Sequence, residues 1–280
     1  MSASTLSFYT FLVAICILAP FWIVARRPST ALRERSSRDW GHAFASYLLL
    51  GVVGLLPTSI LMSWGIEHSS GSNAAILTLT IPILMVAVAV PMLGERFTWI
   101  RVFTLLISLT GAVLISRDDV SGGSFTSSTL AGNAVISAAC AGAAFYNIYS
   151  KKLLQQHSEL EVLIYGYAVA VALCALTSLS LDAQPFYQVK AFPASAWIAV
   201  LALGSLTWGI SNVLFMWLLQ RIDIGQISVS IYLLSFFGVV FSAATLGERV
   251  GIVQMVGAIV VITATVLSDS HERNARRSVT

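Results

Sequence analysis

Charged side chains are scarce in this sequence. Only 10% of its 280 residues are Asp, Glu, Lys or Arg and 57% are hydrophobic, whereas a soluble domain carries about 25% charged residues. The composition therefore excludes an ordinary soluble globular domain. Apolar runs of roughly 20 residues recur along almost the whole chain, and each is long enough to cross a bilayer core of about 30 Å. Only helices and closed barrels satisfy their backbone hydrogen bonds in lipid, and these runs are continuous rather than alternating. We therefore predict an all-α polytopic membrane protein.

Cysteine is rare as well, and Cys16, Cys140 and Cys174 all lie inside apolar runs. They form no CxxC or Cys/His pattern, so the sequence predicts buried free thiols rather than a disulfide frame or a metal site. No two of the four histidines share metal-ligand spacing. No glycine-rich loop ending in lysine is present to hold a nucleotide phosphate. We expect no metal, no cofactor, no ATP-driven step and no nucleic-acid partner.

A tetrapeptide that occurs in both halves of the chain indicates a duplication. Leu93-Gly94-Glu95-Arg96 returns as Leu246-Gly247-Glu248-Arg249, 153 residues later, and each copy lies between two long apolar runs. At the same offset Gly51 corresponds to Gly204. The order of apolar runs, short polar connections and the repeated tetrapeptide predicts two repeats of membrane helices.

The composition also suggests where the repeats begin and end. We predict a first repeat over 1–117, a linker rich in Asp, Gly and Ser over 118–129, a second repeat over 130–269 and a polar tail over 270–280.

Nine apolar runs are present, four before the linker and five after it. The offset of 153 residues places run 160–181 over the first run of the chain, so run 130–149 has no counterpart after Met1. The first repeat therefore lacks its opening helix. Either a natural chain begins further upstream, or the protein has nine helices.

The distribution of positive charge orients the helices. If the run ending at Arg26-Arg27 ends in the cytoplasm, thirteen Lys and Arg residues fall inside and three fall outside. This is the bias that the positive-inside rule describes. It predicts a multi-pass protein of the cell (inner or plasma) membrane with a cytoplasmic C-terminus. It also places the two Leu-Gly-Glu-Arg tetrapeptides on opposite faces, as an inverted repeat requires.

Several short motifs go beyond this general pattern. They are Gly71 to Leu77, Ile81-Pro82, the two Leu-Gly-Glu-Arg tetrapeptides, Gly111 to Leu114, Ile224-Gly225-Gln226 and Gly257-Ala258. On these residues the sequence resembles the EamA-type members of the drug/metabolite transporter superfamily. The resemblance implies two inverted five-helix repeats around a central cavity. The missing opening helix departs from that pattern and removes one wall of the cavity. Ser235 stands where the second repeat would carry a proline, which changes only how that helix bends.

Polar side chains inside the apolar runs are the candidate substrate contacts. Asp, Glu, Lys and Arg are absent from the middle of every predicted span, which argues against a buried carboxylate as a proton carrier. In the family resembled, the equivalent helices line the cavity, and here they carry Ser59, Asn73, Thr78, Tyr146, Trp208, Ser211, Asn212 and Tyr232. Amides and hydroxyls can hydrogen-bond a polar metabolite, and aromatic faces can contact apolar or cationic groups. The alternative is that Ser and Thr bond to their own helix or join neighbouring helices. Trp208 and Asn212 are four residues apart and so share one helix face.

Proline and glycine mark candidate hinges. These are Pro57 and Pro82 within the spans, and Gly94 and Gly247 in the repeated tetrapeptides. Prolines in membrane helices are often static kinks, so this alternative stays open.

These features predict a secondary transporter, not an enzyme, that moves a small organic metabolite by alternating access. The resemblance implies export of an amino acid or a related compound. A truncated or non-transporting paralogue that serves as a scaffold is the alternative, because the opening helix is missing. A membrane-embedded lipid enzyme is less favoured, because its nearest ligand cluster, His157, Glu159 and Glu161, lies in one loop without a partner. The expected partners are a small-molecule substrate and the lipid bilayer, and the oligomeric state is not predicted.

Overall fold

A computed structural model describes most of the chain. The described residues are 3–25, 37–69, 74, 77–94, 99–115, 127–181, 192–233, 237, 240 and 252–277. Every regular element within these ranges is helical, which confirms the predicted all-α class.

The α-helices follow one another along the chain with short connections. In chain order they are α1 (Ala3–Ala25), α2 (Ser37–Leu49), α3 (Met62–His68), α4 (Ile81–Leu93), α5 (Trp99–Ile115), α6 (Ser127–Leu153), α7 (Glu159–Leu181), α8 (Ala194–Ala202), α9 (Asn212–Arg221), α10 (Ile224–Ile231) and α11 (Ile252–Arg277).

Stretches of π-helix join four of these helices into two longer rods. Leu50–Leu55 and Pro57–Leu61 connect α2 to α3, and we call them together the first π segment. Leu203–Ser211, the second π segment, connects α8 to α9. The described residues therefore form nine helical rods, the number predicted from the sequence.

Four of these rods are long and apolar enough to cross a membrane. They are Ala3–Val24, Ala43–His68, Glu159–Ser180 and Ala194–Arg221. Large apolar side chains on them point outward; Phe21 is 65% exposed and Ile198 is 67% exposed. Such outward apolar surface suits contact with lipid and would be a liability in water.

The helices group into two compact units. Unit 1 comprises Met1–Trp64 and Phe145–Arg221, and unit 2 comprises Gly65–Ala144 and Ile222–Thr280. Each unit takes residues from both halves of the sequence.

Within unit 1, α1 and α7 pack antiparallel. The Thr5 and Ser178 hydroxyls are 3.2 Å apart at one end of the pair, and the Trp22 and Tyr165 rings are 5.8 Å apart at the other. The offset of 153 residues makes these two helices equivalent in the two repeats. An antiparallel pair of equivalent helices is the arrangement that inverted repeats produce.

Each π segment packs on the long helix of the opposite repeat through a glycine. A Cβ at Gly204 would lie 2.7 Å from Val13 Cβ and 2.8 Å from Thr10 O on α1. A Cβ at Gly51 would collide with Val169 on α7. Both positions admit only a hydrogen atom on the side facing the neighbouring helix, so the glycines allow the backbones to approach closely.

Unit 2 contains a separate apolar core. Its buried members are Leu79, Leu105, Ala112, Val229, Tyr232 and Val261. Tyr232 Oη donates a hydrogen bond to Leu79 O at 2.9 Å, and these two residues are 153 positions apart. A residue contacts its own repeat equivalent only close to the axis that relates the repeats. Leu79 and Tyr232 therefore mark the pseudo-two-fold axis within unit 2.

Candidate functional site

A hydrogen-bonded chain of three residues runs through the interior of unit 1. The Tyr167 hydroxyl, on α7, donates to Trp208 O at 2.7 Å. Asn212 Nδ2 in turn donates to Tyr167 Oη at 2.9 Å. Trp208 lies in the second π segment and Asn212 is the first residue of α9. The structure thus brings together two predicted contact residues through a tyrosine that the sequence analysis did not single out.

The backbone hydrogen bonding changes next to Trp208. In a regular α-helix the Asn212 N–H would donate to Trp208 O. Here it donates to Gly209 O instead, at the end of the second π segment. The Trp208 carbonyl accepts a hydrogen bond from the Tyr167 hydroxyl, and this bond links the segment to α7.

Aromatic rings pack against one side of this hydrogen-bonded chain. The Phe11 ring, fully buried on α1, lies 4.6 Å from the Trp208 ring and 5.3 Å from the Tyr167 ring, measured between centroids. The Tyr167 and Trp208 rings meet edge to face at 6.0 Å. These separations are those of favourable aromatic pairs. They give the site an apolar wall with a cation-attracting π face.

Tyr146, on α6, brings a further hydroxyl to the same place. Its Oη faces the hydroxyls of Tyr167 and Ser150, yet it makes no hydrogen bond of good geometry with any group in the described part of the chain. Ser150 Oγ is likewise buried without such a bond. A Cβ at Gly54 would lie 2.9 Å from Tyr146 Cβ, so glycine allows the first π segment to reach α6 here. We call Tyr146, Tyr167, Trp208 and Asn212 the polar cluster.

The other predicted contact residues lie apart from the polar cluster or turn to their own helix. Ser59 Oγ donates to Leu55 O at 2.9 Å in the first π segment. Ser211 is exposed at the end of the second π segment. Thr78 and Tyr232 belong to unit 2, where Thr78 is half-buried and Tyr232 is bonded to Leu79. Asn73 lies outside the described residues.

The predicted hinge residues occupy element ends and a π segment. Pro57 opens the second part of the first π segment. Pro82 lies in the first turn of α4, where a missing N–H costs little. Gly94 ends α4 in the left-handed conformation, with φ of 66°, and its N–H donates to Val90 O. Gly247, like Ser235, lies outside the described residues.

The acidic and histidine residues considered for a lipid enzyme make side-chain contacts around the start of α7. Glu159 and Glu161 lie in the first turn of this helix rather than in a loop. Carboxylates in the first turn interact favourably with the helix dipole. His157 Nδ1 lies 3.0 Å from Glu161 Oε1, and Glu159 Oε1 lies 4.0 Å from Arg221 Nη1. No group of three or more His, Cys, Asp or Glu side chains suited to a metal ion occurs among the residues described above.

Comparisons with known proteins agree with this architecture. The model of the EamA-like transporter family matches residues 1–117 and 130–268. A probable terminal-alkyne amino-acid exporter of Streptantibioticus cattleyicolor is 27% identical over 232 residues, which cover 82% of this chain and 74% of that protein. The uncharacterized transporter YcxC of Bacillus subtilis is 23% identical over 286 residues, covering 97% and 91% of the two chains.

A solved crystal structure shares the fold. It superposes with a TM-score of 0.76 at 17% identity and covers 96% of this chain and 89% of its own. The two matched segments cover most of the chain and show that it belongs to the EamA-like transporter family.

Proposed function

We propose that the protein is a secondary transporter that exports a small organic metabolite, an amino acid or a related compound, by alternating access. In this proposal the polar cluster of unit 1 binds the polar head of the substrate. The protein resides in the cell membrane with its C-terminus in the cytoplasm.

Unused hydrogen-bonding capacity in the polar cluster is the observation that carries the proposal. Buried polar groups are normally satisfied, and each one left without a partner costs about 1–3 kcal/mol. Tyr146 Oη and the neighbouring Ser150 Oγ are both buried, and neither makes a hydrogen bond of good geometry within the described residues. Unbonded hydroxyls beside an amide and an aromatic wall are typical of a site that a polar ligand completes.

The chemistry of the cluster favours a zwitterionic or weakly charged substrate. Its members offer one amide, two phenol hydroxyls and an indole, and none of them is ionised at neutral pH. Neutral donors can bind a carboxylate, and an amide oxygen with aromatic faces can bind an ammonium group. The related exporter from Streptantibioticus cattleyicolor is named for an amino acid, which supports the same substrate class.

The remaining predicted residues extend this proposal. Ser59, Asn73, Thr78, Ser211 and Tyr232 are secondary contacts made in other steps of the cycle. Pro57, Pro82, Gly94 and Gly247 serve as hinges of the transport cycle in this proposal. The inverted repeats supply the two halves that exchange conformations during alternating access.

Counterflow in proteoliposomes tests the proposal. The purified chain is reconstituted and screened against a panel of amino acids and amphipathic cations. We expect counterflow of at least one amino acid, and a loss of about tenfold or more in Asn212→Ala and Trp208→Ala, because each removes contacts worth that factor.

Two substitutions outside the cluster serve as matched controls. Trp217→Ala truncates another tryptophan of the same rod, which is 47% exposed. Thr263→Ala removes an exposed hydroxyl that donates to Ile259 O of its own helix. Both should retain counterflow within about twofold, as surface substitutions usually do. If the folded chain moves no member of the panel, the amino-acid proposal fails and the non-transporting scaffold is favoured. An equal loss in controls and cluster variants would refute the assigned site.

A further inference from the structure

The hydrogen-bond chain in unit 1 has a fixed direction. A carbonyl oxygen only accepts hydrogen bonds, so the single proton of the Tyr167 hydroxyl is committed to Trp208 O at 2.7 Å. The Tyr167 oxygen can then act only as an acceptor towards Asn212. The amide atom 2.9 Å from it must therefore be the nitrogen, Nδ2.

This direction leaves Asn212 Oδ1 as the end of the hydrogen-bonded chain that can still accept a hydrogen bond. The side chain of Asn212 is half-buried, and within the described residues its amide forms no hydrogen bond other than the one to Tyr167. An amide oxygen has two lone pairs and accepts from N–H or O–H donors. The Trp208 ring, held against Phe11, lies on the same helix face one turn earlier.

We infer that Tyr167 is a positioning residue that turns the Asn212 amide and thereby makes the polar cluster select a protonated amine over an acceptor-only group. The inference rests on the proposed function and specifies which end of the substrate Asn212 binds. Without the Tyr167 hydroxyl, the amide rotates freely and can present its NH₂ group to a carbonyl. The preference for the amine is then lost mainly because the acceptor-only compound binds better.

A size-matched pair of compounds measures this selectivity. The pair consists of the amino acid with the fastest counterflow and its 2-oxo acid, which replaces the ammonium group by a carbonyl on the same carbon skeleton. A hydrogen bond to a charged donor corresponds to about tenfold in binding, so the wild type should prefer the amine by about tenfold or more. In Tyr167→Phe we expect KM for the 2-oxo acid to fall severalfold and the preference to drop at least about threefold, since the amide then serves either partner.

A second substitution distinguishes positioning from general damage. A carboxylate accepts hydrogen bonds in either orientation, so Asn212→Asp needs no tyrosine to orient it. The double variant Tyr167→Phe/Asn212→Asp should therefore recover the preference for the amine to within about twofold of the wild type. A Tyr167 that merely supported the fold would not be rescued in this way. Elution as a single species in detergent and the thermal unfolding temperature show that each variant is folded.

The outcomes separate the inference from the function on which it rests. Equal losses for both compounds in Tyr167→Phe, or no recovery in the double variant, would overturn the positioning role and leave transport intact. Absence of counterflow of any amino acid by the wild type overturns the proposed function and this inference with it. If Tyr167→Phe does not fold, the preference for the amine is measured in Asn212→Leu and Asn212→Asp instead. The first should abolish the preference and the second should keep it, and the opposite result contradicts the inference.

Discussion

Two backbone carbonyls in the apolar interior each accept a bond from a tyrosine hydroxyl. Tyr167 donates to Trp208 O in unit 1 and Tyr232 donates to Leu79 O in unit 2. Both carbonyls lie where a helix departs from regular α geometry, in a π segment and in the turn that precedes α4. Tyrosine suits this task because its ring fits an apolar core while its single hydroxyl satisfies the polar atom.

The bond from Tyr232 should contribute measurably to stability. Tyr232→Phe removes the donor to Leu79 O, and a buried acceptor without its partner costs about 1–3 kcal/mol. We expect a lower unfolding temperature in detergent. Tyr149→Phe is a matched control, because the described residues include no hydrogen-bond partner of its hydroxyl while its ring still stacks on Phe145 at 5.2 Å. Equal unfolding temperatures for Tyr232→Phe and the control would show that the bond contributes nothing.

At the level of individual residues, the sequence predicted part of the site. Trp208 and Asn212 were found because polar residues four apart on an apolar helix share a face. Tyr167 lies in an equally apolar run and was passed over, although the same search for polar groups within the spans applies to it. Phe11 carried no signal, because its part in the site depends only on how α1 packs against the second π segment.

Among the helices, the two π segments are the feature that the sequence did not predict. Apolar runs located the rods, since length and hydropathy are visible in the sequence. A π segment differs only in hydrogen-bond register, and such stretches are frequent at functional sites. The segments share a glycine at equivalent positions, Gly51 and Gly204, whereas Ile210 stands at the offset of Pro57. The two segments therefore share close packing on the neighbouring helix, whereas proline occurs only in the first of them.

Substituting the glycine and the proline of these segments by alanine should change the stability of the protein in opposite directions. Gly204→Ala places a Cβ 2.7 Å from Val13 Cβ and 2.8 Å from Thr10 O, and overpacking of this kind costs about 1–3 kcal/mol. Pro57→Ala restores a backbone N–H to the first π segment, so it should preserve or raise stability while slowing counterflow, because the helix bends less readily. Unfolding temperature and initial counterflow rate, measured on both variants, check this. A stable Pro57→Ala variant with a wild-type rate would show that Pro57 is a static kink.

At the scale of the whole molecule, the repeat is visible both in sequence and in contacts. The offset of 153 residues was derived from a tetrapeptide at the helix ends. It recurs in the hydrogen bond between Leu79 and Tyr232 and in the antiparallel pairing of α1 with α7. The pairing of particular helices within each unit could not be predicted, because it depends on side-chain packing that periodic hydropathy does not encode.

The inverted topology makes a definite prediction about which loops face the cytoplasm. The positive-inside rule, with thirteen basic residues against three, places Gln155 inside and Glu67 outside. Both side chains are exposed. In a Cys16→Ser background, which leaves only the buried Cys140 and Cys174, Glu67→Cys should react with a membrane-impermeant maleimide in intact cells. Gln155→Cys should react only after the membrane is permeabilised. The reverse pattern would invert the whole molecule and place the C-terminus outside, even with the fold unchanged.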